Sequence, residues 1–324
     1  MNLANKYRPS TFKDIVEQSN TKSILMKEIA ENNIKPAYMF VGHTGVSKTT
    51  TSRVFANSIN SNIIELDAAS NNSAEKVRDL LESVKQRPIA NDYTVVIVDE
   101  PQNFSKQAWD SMLLTIESPP PFLIFIFCTT DLDKIPQTIY NRCEVFEFLP
   151  ISTEGIIGRL KYICEQEGFK YESPALDIIA KLANGSMRQA ITYLEQCSTK
   201  DITIETVRNT LLADSYDTYM NLVYSICDKD YEAVSKIISK ISNQDKFVSE
   251  FFTFILSANV YMFTKDMNLT TIPHVYKEDF DNFNDNDINT VIALRKKLLT
   301  LQYEGRNNPI LKELLQATLF DIME

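Results

Sequence analysis

Glycine is scarce in this chain, with seven residues among 324. Histidine is scarcer: only His43 and His274, far apart and without a companion Cys or His, so they build no metal constellation. The five cysteines are Cys128, Cys143, Cys164, Cys197 and Cys227. An odd number without a CxxC pair argues against zinc or a disulfide framework and fits buried free thiols in a reducing compartment. No run approaches the ~20 apolar residues of a membrane span, so no membrane partner is expected. The first residues, MNLANKYRPS, are polar and lack an apolar signal core, which points to an intracellular, cytoplasmic protein. No internal repeat and no low-complexity tail is present. Basic charge is also short: 33 Lys and Arg stand against 43 Asp and Glu, a net charge of −10. A free-standing nucleic-acid binder is therefore disfavoured, and any such contact needs a local patch or an assembly. The length allows two or three domains with proper cores.

Scarce glycine makes its placement informative. Gly42 and Gly45 both fall in GHTGVSKT at 42–49. An apolar run (Ala37 to Val41) precedes this stretch and a helix-compatible run (Thr51 to Ile59) follows. That is the strand–loop–helix context of a phosphate-binding P-loop. Backbone N–H groups of such a loop, with the positive end of the following helix, cradle phosphate. Lys48 would neutralise the β- and γ-phosphates, and the Thr49 hydroxyl would hold Mg²⁺. The residue before Lys48 is Ser47, where the usual pattern has Gly; its side chain resists backbone angles that Gly accepts freely. A structural turn is the alternative reading of the string.

Residues 1–150 alternate apolar runs at 37–41, 63–66, 93–98, 122–128 and 144–148 with helical segments near 20–32, 48–59, 73–86 and 104–117. Near-continuous apolar strands between helices predict an α/β fold, a parallel sheet with helices on both faces. Ligands on such sheets bind beyond the carboxyl ends of the strands. From about residue 151 the strand signal fades. Residues 152–212 read as short helices, and the remainder to Glu324 is helical with a polar break from Lys265 to Asp287. The Asp and Asn of 279–289 read as a solvated loop and helix cap.

The run Val95 to Val98 leads into Asp99-Glu100. A hydrophobic strand ending in two acids, about 50 residues after a P-loop, reads as the second half of an ATPase site. Asp99 would serve Mg²⁺, and Glu100 would orient and deprotonate the attacking water. Thr130, at the tip of the next strand, is a candidate for the γ-phosphate or the lytic water, or else a strand-end cap. Arg142 suits an arginine finger reaching a neighbour's ATP, or a surface salt bridge. Arg188, opening a helix after Gly185, leans over the γ-phosphate or is a generic surface arginine.

These motifs, in order, carry a resemblance. Lys6-Tyr7-Arg8-Pro9, Phe12 to Val16 with Gln18, LDAAS at 66–70, VDE at 98–100, TTDLDKIP at 129–136, NRC at 141–143 and GSMRQA at 185–190 resemble the clamp-loader ATPases. The likeness is to tau/gamma subunits of bacterial DNA polymerase III, with replication factor C small subunits more distant. It is close over about residues 3–200 and weaker to the end. It implies an AAA+ nucleotide-binding domain over 1–150, a small helical lid over 151–212 and a helical collar over 213–324 that assembles a pentameric ring.

By the resemblance, ATP and Mg²⁺ lie between neighbouring subunits, with Tyr7, Arg8 and Pro9 by the adenine and Gly42, Gly45, Val46, Ser47, Lys48, Thr49 and Thr50 at the phosphates. Thr49 and Asp99 hold Mg²⁺. Glu100 is the base, Thr130 the first sensor, Arg142 the finger acting in trans and Arg188 the lid sensor. The partners implied are other loader subunits, a sliding clamp and primer–template DNA, tracked along its phosphates. Lys76, Arg78 and Lys106, beside helix starts near Ser73 and Ser105, are the candidate DNA cations; solvated surface is their alternative. Trp109, Met112 and Leu113 match the clamp-touching region, and their spacing equally suits a core face. The family's cysteine-rich zinc insertion is absent, so no zinc is expected, and the chain reads as a shortened, gamma-like subunit from a bacterium or a phage. Two rivals remain open: a non-hydrolysing stator of the same ring, and another AAA+ motor such as a branch-migration ATPase.

Overall fold

The structure is a computed structural model that describes residues 2–199, 201–212, 216–241, 243–304, 308 and 310–324. The chain gathers into two compact units, one of 1–159 with 185–192 and one of 160–184 with 193–324.

The first unit opens with α1 (Leu3–Lys6) and α2 (Ser19–Glu31). Then come β1 (Ala37–Val41), α3 (Lys48–Ser58), β2 (Ser61–Asp67), α4 (Ala74–Ser83), β3 (Tyr93–Asp99), α5 (Lys106–Glu117), β4 (Leu123–Thr129), α6 (Gln137–Tyr140) and β5 (Glu144–Glu147). All five strands are parallel, in the order β2-β3-β4-β1-β5. Because side chains alternate along a strand, each strand feeds two cores. Met39, Val96, Val98, Phe125 and Phe127 face one side with Val77 and Leu81 of α4 and Met112 of α5. Tyr38, Phe40, Val95, Ile97, Ile124 and Ile126 face the other with Leu25 of α2 and Phe55 of α3. Burial on both faces explains the uninterrupted apolar runs.

Of the two readings open for Trp109 and Met112, the core face is the one their side chains take. Trp109 is 4% exposed and Met112 fully buried, and the indole packs edge-on against Phe104 and tilted against Phe127. Leu113 is half-buried against the same core. The apolar residue this helix presents outward is Leu114, at 75% exposure.

Helices α7 (Thr153–Glu167), α8 (Ser173–Leu182), α9 (Met187–Cys197) and α10 (Ile204–Val207) follow, with a π turn at Arg208–Leu212. The chain ends in α11 (Tyr216–Cys227), α12 (Tyr231–Ser239), α13 (Gln244–Thr264), α14 (Lys277–Asp281), α15 (Asp285–Glu304) and α16 (Leu311–Met323). Helix α13 is long and apolar enough to cross a membrane by length and composition, contrary to the sequence reading, yet 61% of that stretch is buried within the protein. Its Phe247, Phe251 and Phe254 pack edge-on or tilted against Tyr216, Tyr219 and Phe280 in an aromatic core. The polar break is more ordered than expected. It holds turns at Met267–Leu269 and His274–Tyr276, and buries Ile272, Tyr276 and Phe280. Asn284 caps α15 as expected, accepting from the Asn286 and Asp287 N–H groups at 2.8 and 3.1 Å. Lys181 of α8 fastens this segment, donating to the Met267 and Ile272 carbonyls at 3.1 and 3.2 Å.

Candidate nucleotide-binding site

The loop between β1 and α3 is shaped by close approach. A Cβ at Gly42 would collide with the Phe148 carbonyl oxygen, and one at Gly45 with Ser186 Oγ. Gly45 also takes φ +82°, and its carbonyl accepts from Met187 N–H at 3.0 Å, joining the loop to the start of α9. Ser47 adopts φ 80° and ψ 16°. The left-handed turn that glycine usually supplies is therefore kept by a serine, at a cost of order 1–2 kcal/mol. Helix α3 then begins at Lys48, with the Ser47 carbonyl accepting from Thr51 N–H and Oγ1, both at 2.8 Å.

Lys48 is 5% exposed. Its ammonium donates to the Gly42 and His43 carbonyls at 2.6 and 2.9 Å. Burial lowers its pKa, opposed by the fields of Cys128, Glu100 and Asp99. Thr49 Oγ1 lies 3.3 Å from both Asp99 carboxylate oxygens. Burial and then the adjacent Glu100 raise the Asp99 pKa, with the Thr49 hydroxyl opposing. Two neighbouring acids, one pushed toward neutrality, beside a buried ammonium make a place where a divalent cation and a polyanion relieve each other's cost. Behind them Cys128 Sγ contacts Ser52 Oγ at 3.2 Å, and burial pushes the thiol up to about 12, so it is inert.

Glu100 has φ 51° and starts a 3₁₀ turn over Pro101–Asn103. Its Oε2 accepts from Thr130 Oγ1 at 2.9 Å and from Gln102 Nε2. Gln102 Nε2 also reaches Thr130 Oγ1 at 2.9 Å, and Gln102 Oε1 accepts from Thr129 Oγ1 at 2.7 Å.

Lys48, Thr49, Asp99 and Glu100 border one cavity of about 530 Å³. Tyr7, Arg8, Pro9, Gly45, Ser47, Lys48, Thr49, Thr50, Asp99, Glu100 and Arg188 all line it, bringing together most of the residues chosen from sequence. Gly42 holds Lys48 from below the loop. The Val46 side chain is 1% exposed in the core, so only its backbone is available to a ligand. Thr130 joins through Glu100. Arg142 is not part of the lining. It is a half-exposed arginine paired to Glu117 at 2.6 Å and donating to the Thr138 carbonyl at 2.6 Å.

Lys76, Arg78 and Lys106 are exposed near the starts of α4 and α5. Ser73 and Ser105 cap those helices, and Ser105 N–H donates to the Asn72 carbonyl at 3.1 Å, tying the two starts together. Sequence reasoning missed Gln102, Asp14, Arg53, Glu65, Asp67 and Arg159. Arg53 and Glu65 pair at 2.5 Å on the cavity wall, and Arg159 donates to the Tyr7 carbonyl at 2.8 Å. Asp14 and Asp67 fall within quoted motifs, Phe12 to Val16 and LDAAS, and Gln102 stands two residues beyond the acid pair; Arg53, Glu65 and Arg159 had no local signal.

Comparisons with known proteins bear on the family and the fold. Residues 60–152 match the family "DNA polymerase III, delta subunit", and residues 155–198 match "DNA polymerase III clamp loader subunit, ATPase lid domain". The chain is 31% identical over 268 residues to DNA polymerase III subunit gamma of Buchnera aphidicola subsp. Baizongia pistaciae, covering 74% of this chain and 72% of that one. It is 32% identical over 267 residues to subunit tau of Bacillus subtilis, covering 74% of this chain but 47% of the relative. For gamma/tau of Mycoplasma genitalium the figures are 30% over 311 residues, 86% and 52%. The chain thus spans about half the length of these last two. Among solved structures, the Thermotoga maritima RuvB Holliday junction branch migration motor superposes with TM-score 0.57 at 17% identity, covering 69% of this chain and 80% of that chain. At that identity the likeness is one of fold.

Proposed function

As this chain belongs to the DNA polymerase III gamma/tau family of AAA+ clamp-loader subunits, we propose that it binds and hydrolyses ATP to open a sliding clamp and place it on primer–template DNA. The observation that carries this reading is the convergence of Lys48, Thr49, Asp99 and Glu100 on one cavity, with Thr130 on the same carboxylate.

In this reading the Lys48 ammonium leaves its two loop carbonyls for the β- and γ-phosphate oxygens, while N–H groups of 45–50 cradle the chain of phosphates. Tyr7, Arg8 and Pro9 border the base. Thr49 and Asp99 would hold Mg²⁺, which neutralises phosphate charge when bound. Glu100 orients the attacking water and takes its proton, and Thr130 aligns the γ-phosphate. Arg188 bears on the γ-phosphate from the start of α9. Arg142 exchanges Glu117 for a neighbour's ATP, which makes hydrolysis depend on assembly. Residues 151–212 act as a lid and 213–324 as the collar of a ring with other loader subunits. Ser47 argues less for a stator than the string suggested, because it adopts the turn that the loop requires.

The test is ATP turnover by the assembled loader, with and without cognate clamp and primed DNA, for wild type and Glu100→Gln. Clamp- and DNA-stimulated turnover that falls about 10²–10⁴-fold in the variant, with ATP still bound, supports the proposal. Equal rates in the two would transfer hydrolysis to another subunit and make this chain a stator.

A further inference from the structure

Gln102 follows the acid pair by two residues, and nothing in its residue type marks it for chemistry. The fold nevertheless spends its whole amide on the site. The Oε1 accepts from Thr129 Oγ1 at 2.7 Å. The Nε2 donates to Thr130 Oγ1 at 2.9 Å and to Glu100 Oε2. Thr130 Oγ1 closes the triangle with its own 2.9 Å bond to that oxygen. Thr129 is anchored in turn, accepting from Asp131 N–H at 3.1 Å. The end of β4 and the start of the 3₁₀ turn after β3 are thus joined through one side chain.

The consequence falls on Glu100. Its Oε2 carries two donors, and among the described residues no donor reaches Oε1. Two bonds to one oxygen fix the carboxylate plane and leave the other oxygen to meet a proton. Glu100 needs such a restraint. It stands in a left-handed conformation (φ 51°, ψ 49°), its N–H donates to the Cys128 carbonyl at 2.9 Å, and its flexible side chain has no other anchor among the described residues. A base held within hydrogen-bond reach of its water is worth far more than one that samples several rotamers.

We propose that Gln102 is a positioning residue for hydrolysis, bracing Glu100 and Thr130 as one unit so that Glu100 Oε1 faces the attacking water. This rests on the ATPase reading above. The amide touches neither phosphate nor water; it acts through Glu100. Gln102→Glu keeps the length but replaces the donating amide with acceptor oxygens, so Glu100 and Thr130 lose the Nε2 bonds while the bulk of the side chain stays.

The experiment is steady-state ATPase of the clamp- and DNA-stimulated loader over a range of ATP concentrations, with direct ATP binding and thermal melting of each variant. Gln102→Ala is expected to lower kcat about 10- to 100-fold, with KM and ATP affinity unchanged and the melting temperature retained. Gln102→Glu, which keeps the bulk and loses both Nε2 donors, is expected to lower kcat at least as far with KM again unchanged, which a residue that only fills space does not do. Wild-type turnover with Gln102→Ala or Gln102→Glu at wild-type kcat overturns the role of Gln102 and leaves the ATPase reading standing. Absence of turnover in wild type removes the ATPase reading itself, and this proposal with it.

Discussion

Among the described residues each compact unit buries one lysine, and the two make opposite use of it. Lys48 in the sheet unit is 5% exposed and Lys181 in the helical unit 6%. Each ammonium donates to two backbone carbonyls, Gly42 and His43 in one case and Met267 and Ile272 in the other. Burying a lysine is costly, and carbonyl partners are the usual compensation. What separates them is the surroundings. Lys48 borders a cavity shared with Asp99 and Glu100, on a loop whose carbonyls lie at the mouth of a helix N-terminus. Lys181 is the pin of a segment whose Ile272, Tyr276 and Phe280 fill the aromatic core. The same bonds are a rest position in one unit and a staple in the other. Buried charge alone therefore does not identify a site; buried charge beside an open polar cavity does.

The sharpest way to break this contrast is Lys48→Ala. Turnover of the loader is expected to fall about 10²–10³-fold, with ATP affinity reduced and unfolding little changed, read by ATPase and melting curves together. Lys181→Met should do the reverse. It removes one donor from two carbonyls that keep Thr270, at 2.9 Å to Met267 and 3.5 Å to Ile272, and is expected to cost about 1 kcal/mol of stability, visible in denaturant unfolding, with ATP affinity unchanged.

A smaller effect separates the acids of the sheet unit. Buried Glu28 of α2 meets half-buried Glu144 of β5; the Tyr38 hydroxyl donates to Glu28 Oε2 at 2.9 Å, and Lys35 is nearby. The Glu144 Oε2 atom is itself buried, with the Glu28 carboxyl as its neighbour. Burial, and then the Glu144 carboxyl, raise Glu28 from 4.5 to about 7. The folded state keeps a proton that the unfolded chain releases, so stability is expected to fall as pH rises from about 4.5 to about 7. Melting wild type and Glu28→Gln across that range should show a weaker slope in the variant and a higher melting point for it above neutrality. Parallel slopes would mean that the pair shares no proton.

Ser47→Gly should matter least. Relief of the left-handed strain at φ 80° is offset by the greater freedom of glycine in the unfolded chain, about 0.4–1 kcal/mol. A shift of melting temperature of no more than a few degrees is expected, and a large gain would show that the loop is more strained than its backbone angles imply.

The sheet unit was the more legible of the two. Its strands lie within one or two residues of the apolar runs, because both faces are buried and no polar position interrupts them. Lys48, Thr49, Asp99 and Glu100 stood out because strand ends place functional residues at fixed distances from apolar runs. Gln102, Arg53 and Arg159 did not, because each acquires its role from a partner across the fold: Thr129, Glu65 and Tyr7. Trp109 and Met112 were ambiguous for a different reason. Helical spacing says that a face is apolar but not what covers it, and here β4 does, through Phe127.

The sequence by itself determined the parallel sheet, the phosphate loop and the acid pair, since each is written in contiguous residues whose periodicity or turn chemistry acts locally. Only the tertiary structure decided which oxygen of Glu100 is held, that Arg142 rests on Glu117, and that one buried lysine serves a cavity and the other a core. Those outcomes depend on side chains far apart in sequence meeting at a few ångströms, and no local pattern encodes such a meeting.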